Sequence, residues 1–92
     1  MKALYYLSQS IGKKRKDGSP FYVMNILGID RYGTLNGVPV FFPDHSTYND
    51  VLDMNIKPGT AVILEFSGFG NFTGGVTIDS RYAPLDFDKP SK

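Results

Sequence analysis

The stretch KKRKDGSPFYV (residues 13–23) joins a dense run of charge to a turn and to the start of a strand. Four consecutive cations at residues 13–16 lead into Asp17 and Gly18, a dipeptide that favours a tight turn. The chain then leaves through a proline into Phe21 and a strand-like run. The stretch therefore predicts a hairpin with a basic tip and with aromatic rings at the start of its second strand.

Cations beside aromatic rings are typical of a surface that binds single-stranded nucleic acid. The cations attract the phosphates, and unstacked bases stack on the rings. The alternative is a solvated tip whose lysines keep a sheet edge soluble, and this stretch alone does not decide between them. Residues 1–36 hold six basic and two acidic side chains, a net charge of +4. Residues 37–92 hold four basic and seven acidic side chains, a net charge of −3. Because exposed charges more than about 10 Å apart are largely screened at 0.1 M salt, this asymmetry matters more than the total of +1.

The length of 92 residues suits one domain, which we place at residues 1–85, followed by a tail at residues 86–92 that we expect to be partly ordered. The absence of cysteine excludes disulfides, thiolate metal sites and a cysteine nucleophile. The first residues lack the apolar stretch of a signal peptide, and no run of about 18 apolar residues occurs. We therefore expect a soluble protein of the cytoplasm with no membrane partner.

Five segments have the β-branched and aromatic content of short strands. They are residues 2–9, 21–30, 38–42, 60–67 and 76–80. Ser46 or Thr47 can cap one short helix that continues to Asp53. The sequence therefore predicts an all-β fold, a small five-stranded antiparallel barrel with at most one short helix.

The connections between these strands give sharper predictions. Residues 10–12 should break the first strand, and residues 68–75 should form a glycine-rich loop. Asn36-Gly37 should form a hairpin turn, because both central residues of a type I′ turn need positive φ. Pro39 has no N–H to donate, which indicates an edge strand or an unpaired position.

Alternation along the strands predicts which side chains are buried. The even positions of residues 62–66, ending with Phe66, should point inward together with Val76 and Ile78. Residues 21–30 are apolar at odd and even positions alike, so periodicity assigns no buried face there.

The residues that catalysis needs are scarce. His45 is the only histidine, beside Asp44, and a lone histidine there is far more often a surface residue than a base or a metal ligand. The glycine-rich loop matches a nucleotide-binding G-x-G-x-x-G motif only loosely, because the third glycine falls on Thr73. We therefore expect no catalytic residue, no metal and no cofactor, and a protein that is not an enzyme.

The aromatic residues are numerous, with seven Phe and six Tyr. Phe69 and Phe72 stand among glycines, and an exposed Phe in such a loop needs a partner. Bases and another protein chain are the two candidates. The alternative is that the rings fold back onto the rim of the barrel.

From residue 16 to residue 85 the chain resembles the gene V type single-stranded DNA-binding proteins of filamentous bacteriophages. The resemblance rests on short motifs in order and at similar spacing. They are KDGSPFYV (16–23), the return strand with Pro39, Pro58-Gly59, VILEFSGFGNF (62–72), Ile78-Asp79-Ser80-Arg81, and Pro84-Leu85.

This resemblance implies an OB-like barrel that forms a symmetric homodimer. It implies that Phe21 stacks on bases, with Val23 two residues further along and Lys16 in the basic hairpin. The loop phenylalanine of the family matches Phe72 after a shift of one residue. A tyrosine that the family uses between neighbouring dimers matches Tyr32.

Two positions depart from the family, and one of them is Pro43, which replaces a lysine at the end of the third strand. The arginine expected directly after the Ile-Asp pair is Ser80 here, and Arg81 follows one place later, on the opposite face of an extended strand. With this substitute included, the predicted nucleic-acid-binding residues are Lys13, Lys14, Arg15, Lys16, Phe21, Val23, Tyr32, Phe72 and Arg81. Phe69 is the predicted dimer contact, because it is an apolar side chain at the base of a projecting glycine-rich hairpin and a two-fold contact would bury it.

These observations favour a non-catalytic protein that coats and protects single-stranded DNA, cooperatively and without sequence preference, during phage or plasmid replication. A phage-encoded protein of this kind would work in the host cytoplasm. One alternative is a small β-barrel protein-interaction module that uses residues 69–72 and the Asp86-Phe87-Asp88 tail. An RNA-binding OB module is the other alternative.

Overall fold

The computed structural model describes residues 3–85, which form one antiparallel sheet and one helix. The elements are β1 (Leu4–Lys13), β2 (Pro20–Ile29), β3 (Leu35–Phe41), α1 (His45–Leu52), β4 (Ala61–Phe66) and β5 (Phe72–Ile78). The strands lie in the order β3-β2-β1-β4-β5. The all-β class, the five antiparallel strands and the single short helix are confirmed, as is the position of Pro39 on an edge strand. The predicted tail at residues 86–92 lies outside the described residues.

The sheet is not closed into a barrel, because no ladder joins β3 to β5 in the part of the chain that is described. The two edges meet through side chains instead. The Phe42 ring, directly after β3, lies 5.3 Å from the Phe72 ring of β5, measured between centroids. Helix α1 packs on β5 so closely that a Cβ at Gly74 would lie 2.5 Å from Cβ of Thr47. Ring packing and the helix therefore connect the two edges without a ladder.

Apolar side chains are buried on both faces of the sheet. The main core contains Tyr6, Met24, Ile26, Phe42, Tyr48, Val51, Val62 and Phe72. A second cluster contains Ala3, Tyr5 and Ala61, with Leu27, Ile29 and Leu85 packed against it. Since β2 contributes to both clusters, its residues are apolar at odd and even positions.

Two predicted strand boundaries are wrong. β1 continues through Ser10 and Gly12 to Lys13, because β2 pairs with it over that whole length. β5 begins at Phe72, so the glycines at positions 74 and 75 lie within a strand rather than in a loop. Leu64 of β4 pairs with Val76 of β5, and Phe66 pairs with Phe72. Two steps along β4 therefore face four steps along β5, and the two extra residues of β5 form a bulge.

The predicted Asn36-Gly37 turn is also wrong, because both residues belong to β3 and pair with residues of β2. The turn lies earlier in the chain, where Oδ1 of Asp30 accepts hydrogen bonds from the backbone N–H groups of Tyr32 at 2.9 Å and Thr34 at 3.0 Å. These bonds lower the pKa of Asp30. An aspartate that satisfies the loop backbone has displaced the turn that the Asn-Gly pair favours.

Helix α1 is confirmed, with a different cap from the one predicted. Asp44 precedes the helix, and its Oδ1 accepts a hydrogen bond from the N–H of Thr47 at 2.9 Å. This bond satisfies one of the unpaired donors of the first turn and lowers the pKa of Asp44. The cap lies three residues after the end of β3 and fixes where the helix begins.

Candidate nucleic-acid interface

The basic tip between β1 and β2 is a closed and ordered turn. The N–H of Lys14 donates to the carbonyl of Ser19 at 2.8 Å, and the N–H of Gly18 donates to the carbonyl of Lys14 at 2.9 Å. Gly18 has a φ of 72°, which favours glycine. The Asp17 carboxylate accepts hydrogen bonds from the side chain and the N–H of Ser19, and these bonds lower its pKa.

All four cations of the tip, Lys13, Lys14, Arg15 and Lys16, are exposed. Within residues 3–85 the single ion pair joins Arg81 to Asp79, so none of the four forms an ion pair with a described carboxylate. Asp17 is engaged in holding the turn. The tip therefore carries four positive charges against the one negative charge of Asp17, and this net charge of +3 attracts a phosphate backbone.

The Phe21 ring lies directly behind the tip, on the strand pair that carries it. Phe21 pairs with Gly12 of β1, and its ring occupies the space above that glycine. The ring also meets Phe41 of β3 in an edge arrangement, with centroids 5.9 Å apart and planes at 62°. The two phenylalanines form a ring pair next to the cations.

Phe41 links this ring pair to a groove of about 650 Å³. The groove lies where the sheet is open, between β3 and the hairpin of β4 and β5. It is lined by Val38, Pro39, Val40, Phe41, Pro43, Phe66, Gly70, Asn71 and Phe72. No lining residue is charged, and Asn71 alone has a polar side chain.

Exposed rings stand at both sides of this groove. Phe41 is 56% exposed and Phe66 is 50% exposed. Two large rings at half exposure across an uncharged groove offer apolar faces to a flat ligand. The basic tip leads into the strand that carries Phe21, Phe21 contacts Phe41, and Phe41 lines the groove. Together they form the candidate interface.

Two of the predicted contact residues are buried. Val23 is 7% exposed and Phe72 is 8% exposed. The Phe72 ring packs between Phe42 and Phe66, and it fills the core position that was expected for Phe66. The prediction that Phe66 points inward is therefore wrong, and the physical reason is the bulge opposite it. Ile78, at the end of β5, is also exposed rather than inward.

Two other predicted contact residues lie away from the tip. Tyr32 is exposed in the turn between β2 and β3, at the end of β2 that is remote from Pro20, with the Arg31 guanidinium 5.3 Å from its ring centroid. Arg81 follows β5, and its guanidinium makes two hydrogen bonds of 2.9 Å to the buried Asp79 carboxylate. This pair lowers the pKa of Asp79 and raises that of Arg81, so the arginine charge is offset locally.

The predicted dimer contact, Phe69, is 95% exposed at the tip of the hairpin between β4 and β5. The tip is ordered by Ser67, whose N–H donates to the carbonyl of Asn71 at 2.8 Å. The Ser67 hydroxyl accepts hydrogen bonds from the N–H groups of Phe69 and Asn71 at 3.3 Å. An ordered backbone therefore presents a Phe side chain that contributes nothing to the described core.

Phe41 and Phe66 were not predicted as contact residues from the sequence. For Phe41 a signal was present: it precedes the buried Phe42, and neighbouring residues of a strand point to opposite faces. For Phe66, alternation along the strand predicted an inward-pointing side chain, because the bulge cannot be read from the sequence.

His45 is exposed, as expected, and its ring stacks on Tyr22 with centroids 5.0 Å apart. Residues 3–85 contain no group of three or more side chains placed to hold a metal ion. No described helix has the length and apolar character needed to cross a membrane.

Comparison with known protein families, curated proteins and solved structures found no significant match.

Proposed function

We propose that this protein binds single-stranded DNA without reading its sequence, and that it coats and protects the strand during phage or plasmid replication. The observation that carries the proposal is that four exposed cations, the Phe21–Phe41 ring pair and an uncharged groove follow one another. Phosphates bind the cations and release counterions, while bases stack on the rings.

The chemistry of the groove supports binding without base readout. Base-specific recognition needs hydrogen-bond donors and acceptors aimed at base edges. Among the groove residues only Asn71 has such a side chain, whereas the rings and aliphatic groups accept any base face. A strand bound here is shielded along its bases and is held away from pairing.

The proposal includes a homodimer and contact between neighbouring dimers. Phe69, exposed on an ordered tip, is the candidate for the two-fold contact, because water is a poor environment for a bare phenyl ring. Tyr32 lies at the end of β2 opposite the basic tip, where it leaves the nucleic-acid surface free while touching a neighbour. Such contacts make binding to long strands cooperative.

A second candidate function is a protein-interaction module, and the exposure of Phe69 favours it, because this side chain lies outside the groove lining. In that case an apolar peptide would cover Phe69 at the tip of the β4–β5 hairpin and the adjacent groove. Four exposed cations on the hairpin that carries Phe21 fit a polyanion better than an apolar peptide, so we place this candidate second. The acidic tail invoked for it lies outside the described residues.

The test is a competition between equal-length single-stranded DNA, duplex DNA and RNA, measured by fluorescence anisotropy at one salt concentration. We expect single-stranded DNA to bind most tightly, and to bind equally for sequences of different composition. Preference for RNA would favour the RNA-binding alternative. Absence of binding to all three would leave the interaction module as the better account.

A further inference from the structure

We propose that Gly12 is a positioning residue for the Phe21 ring, an inference that rests on the proposed function. A Cβ at Gly12 would lie 2.3 Å from Cζ of Phe21, 2.6 Å from Cε1 and 2.9 Å from Cε2. The outer half of the ring therefore occupies the space that any other side chain would fill. Only glycine at this position lets the ring cover the strand.

The backbone gives no other reason for a glycine here. Gly12 lies in the interior of the hairpin ladder, paired with Phe21, and it is not among the residues with positive φ. Glycine in a strand is less stable than alanine because it loses more conformational freedom on folding. Close approach of the ring is the one structural feature that explains it.

Two other strand glycines make the contrast clear. A Cβ at Gly37 in β3 would meet nothing within 4 Å. A Cβ at Gly28 in β2 would lie 3.4 Å from the nearest atom, an ordinary contact. Of these three, Gly12 alone is incompatible with a methyl group, and the three nearest atoms all belong to the Phe21 ring.

Gly12 and Phe41 hold the ring from two sides. The glycine admits the ring over β1, and the edge contact with Phe41 fixes it from β3. A ring held before binding loses little freedom when a base stacks on it, which favours affinity through preorganisation. Displacing the ring with a methyl group removes this advantage without removing the ring.

The experiment compares Gly12→Ala with Gly37→Ala as a matched control, each alone and in a Phe21→Ala background, by anisotropy with a short single-stranded DNA. We expect Gly12→Ala to weaken binding by about 2- to 12-fold, the effect of freeing one ordered side chain. We expect no further loss from Gly12→Ala once Phe21 is absent, and none from Gly37→Ala. An equal loss in both backgrounds, or no loss in either, would overturn the proposal.

A second readout is independent of DNA. Ring current should shift the α-proton resonances of Gly12 in the free wild-type protein, and Phe21→Ala should abolish that shift. An unshifted Gly12 in the wild type would overturn the proposal even if Gly12→Ala does not fold. A wild-type protein that shows the shift but binds no single-stranded DNA would overturn the proposed function, whereas DNA binding with an insensitive Gly12 would overturn this inference alone.

Discussion

Removing charge from the basic tip should change the salt dependence of DNA binding, and the structure allows the size to be worked out. Each phosphate contact on a single strand contributes about 0.7 to the slope of log affinity against log salt. The four exposed cations at residues 13–16 therefore contribute up to about 2.8 to this slope. Between 50 and 200 mM salt, a slope of that size corresponds to about a 50-fold loss of affinity. Replacing all four with glutamine should abolish that part of the loss.

A matched pair of double variants separates a local field from net charge. Lys14→Gln with Lys16→Gln should flatten the slope by about 1.4. Arg31→Gln with Lys57→Gln removes the same charge elsewhere and should leave the slope unchanged. Arg31 follows the end of β2 remote from the tip, about 30 Å away at roughly 3.3 Å per residue, well beyond the screening length in 0.1 M salt.

The assay is anisotropy of a labelled oligonucleotide too short for two dimers, titrated at four salt concentrations. Equal flattening by both double variants would mean that net charge governs binding, which contradicts a localised site. An unchanged slope for the tip variant would place the DNA elsewhere on the molecule.

The other predictions concern single side chains. Phe41→Ala should weaken binding by about 1–3 kcal/mol with little effect on the urea midpoint, whereas Phe72→Ala should lower the free energy of unfolding by about 3–5 kcal/mol because its ring is in the core; the reverse pattern would contradict our assignment of the two rings. Phe69→Asp should yield monomers in sedimentation, and a wild-type chain that is monomeric at tens of micromolar would refute the dimer. Tyr32→Ala should leave the dimer intact and reduce cooperativity on long strands more than affinity for a short one. Because the Asp79 pKa is lowered in the folded state, its contribution to stability is present above the unfolded value of about 3.9 and is lost as pH falls through the folded value; urea midpoints measured from pH 6 to pH 2 should therefore fall less steeply in Asp79→Asn than in the wild type.

The parts of the fold that local chemistry determines were predictable from the sequence. The Asp17-Gly18 turn closes the basic hairpin because its aspartate and glycine meet local requirements of the backbone. Pro39 lies on an edge strand because it lacks a donor. A similar local preference for a turn at Asn36-Gly37 did not prevail, since the Asp30 carboxylate binds the preceding loop.

The parts that depend on tertiary packing were not predictable. The bulge between β4 and β5 places Phe72 rather than Phe66 in the core, and no alternation pattern reports such a bulge. The groove exists because β3 and β5 do not pair, and Phe41 becomes a candidate contact only beside that gap. The basic half of the candidate interface was thus visible in the sequence, while its groove was not.

The most direct test of the central claim is a backbone amide titration by NMR with a short single-stranded DNA. We predict shifted resonances at residues 12–18, at Phe21 and Phe41, and around Phe66 and Asn71, with resonances at Leu52 and Lys57 unmoved. Shifts confined to the opposite end of the sheet, or none at saturating DNA, would contradict the account.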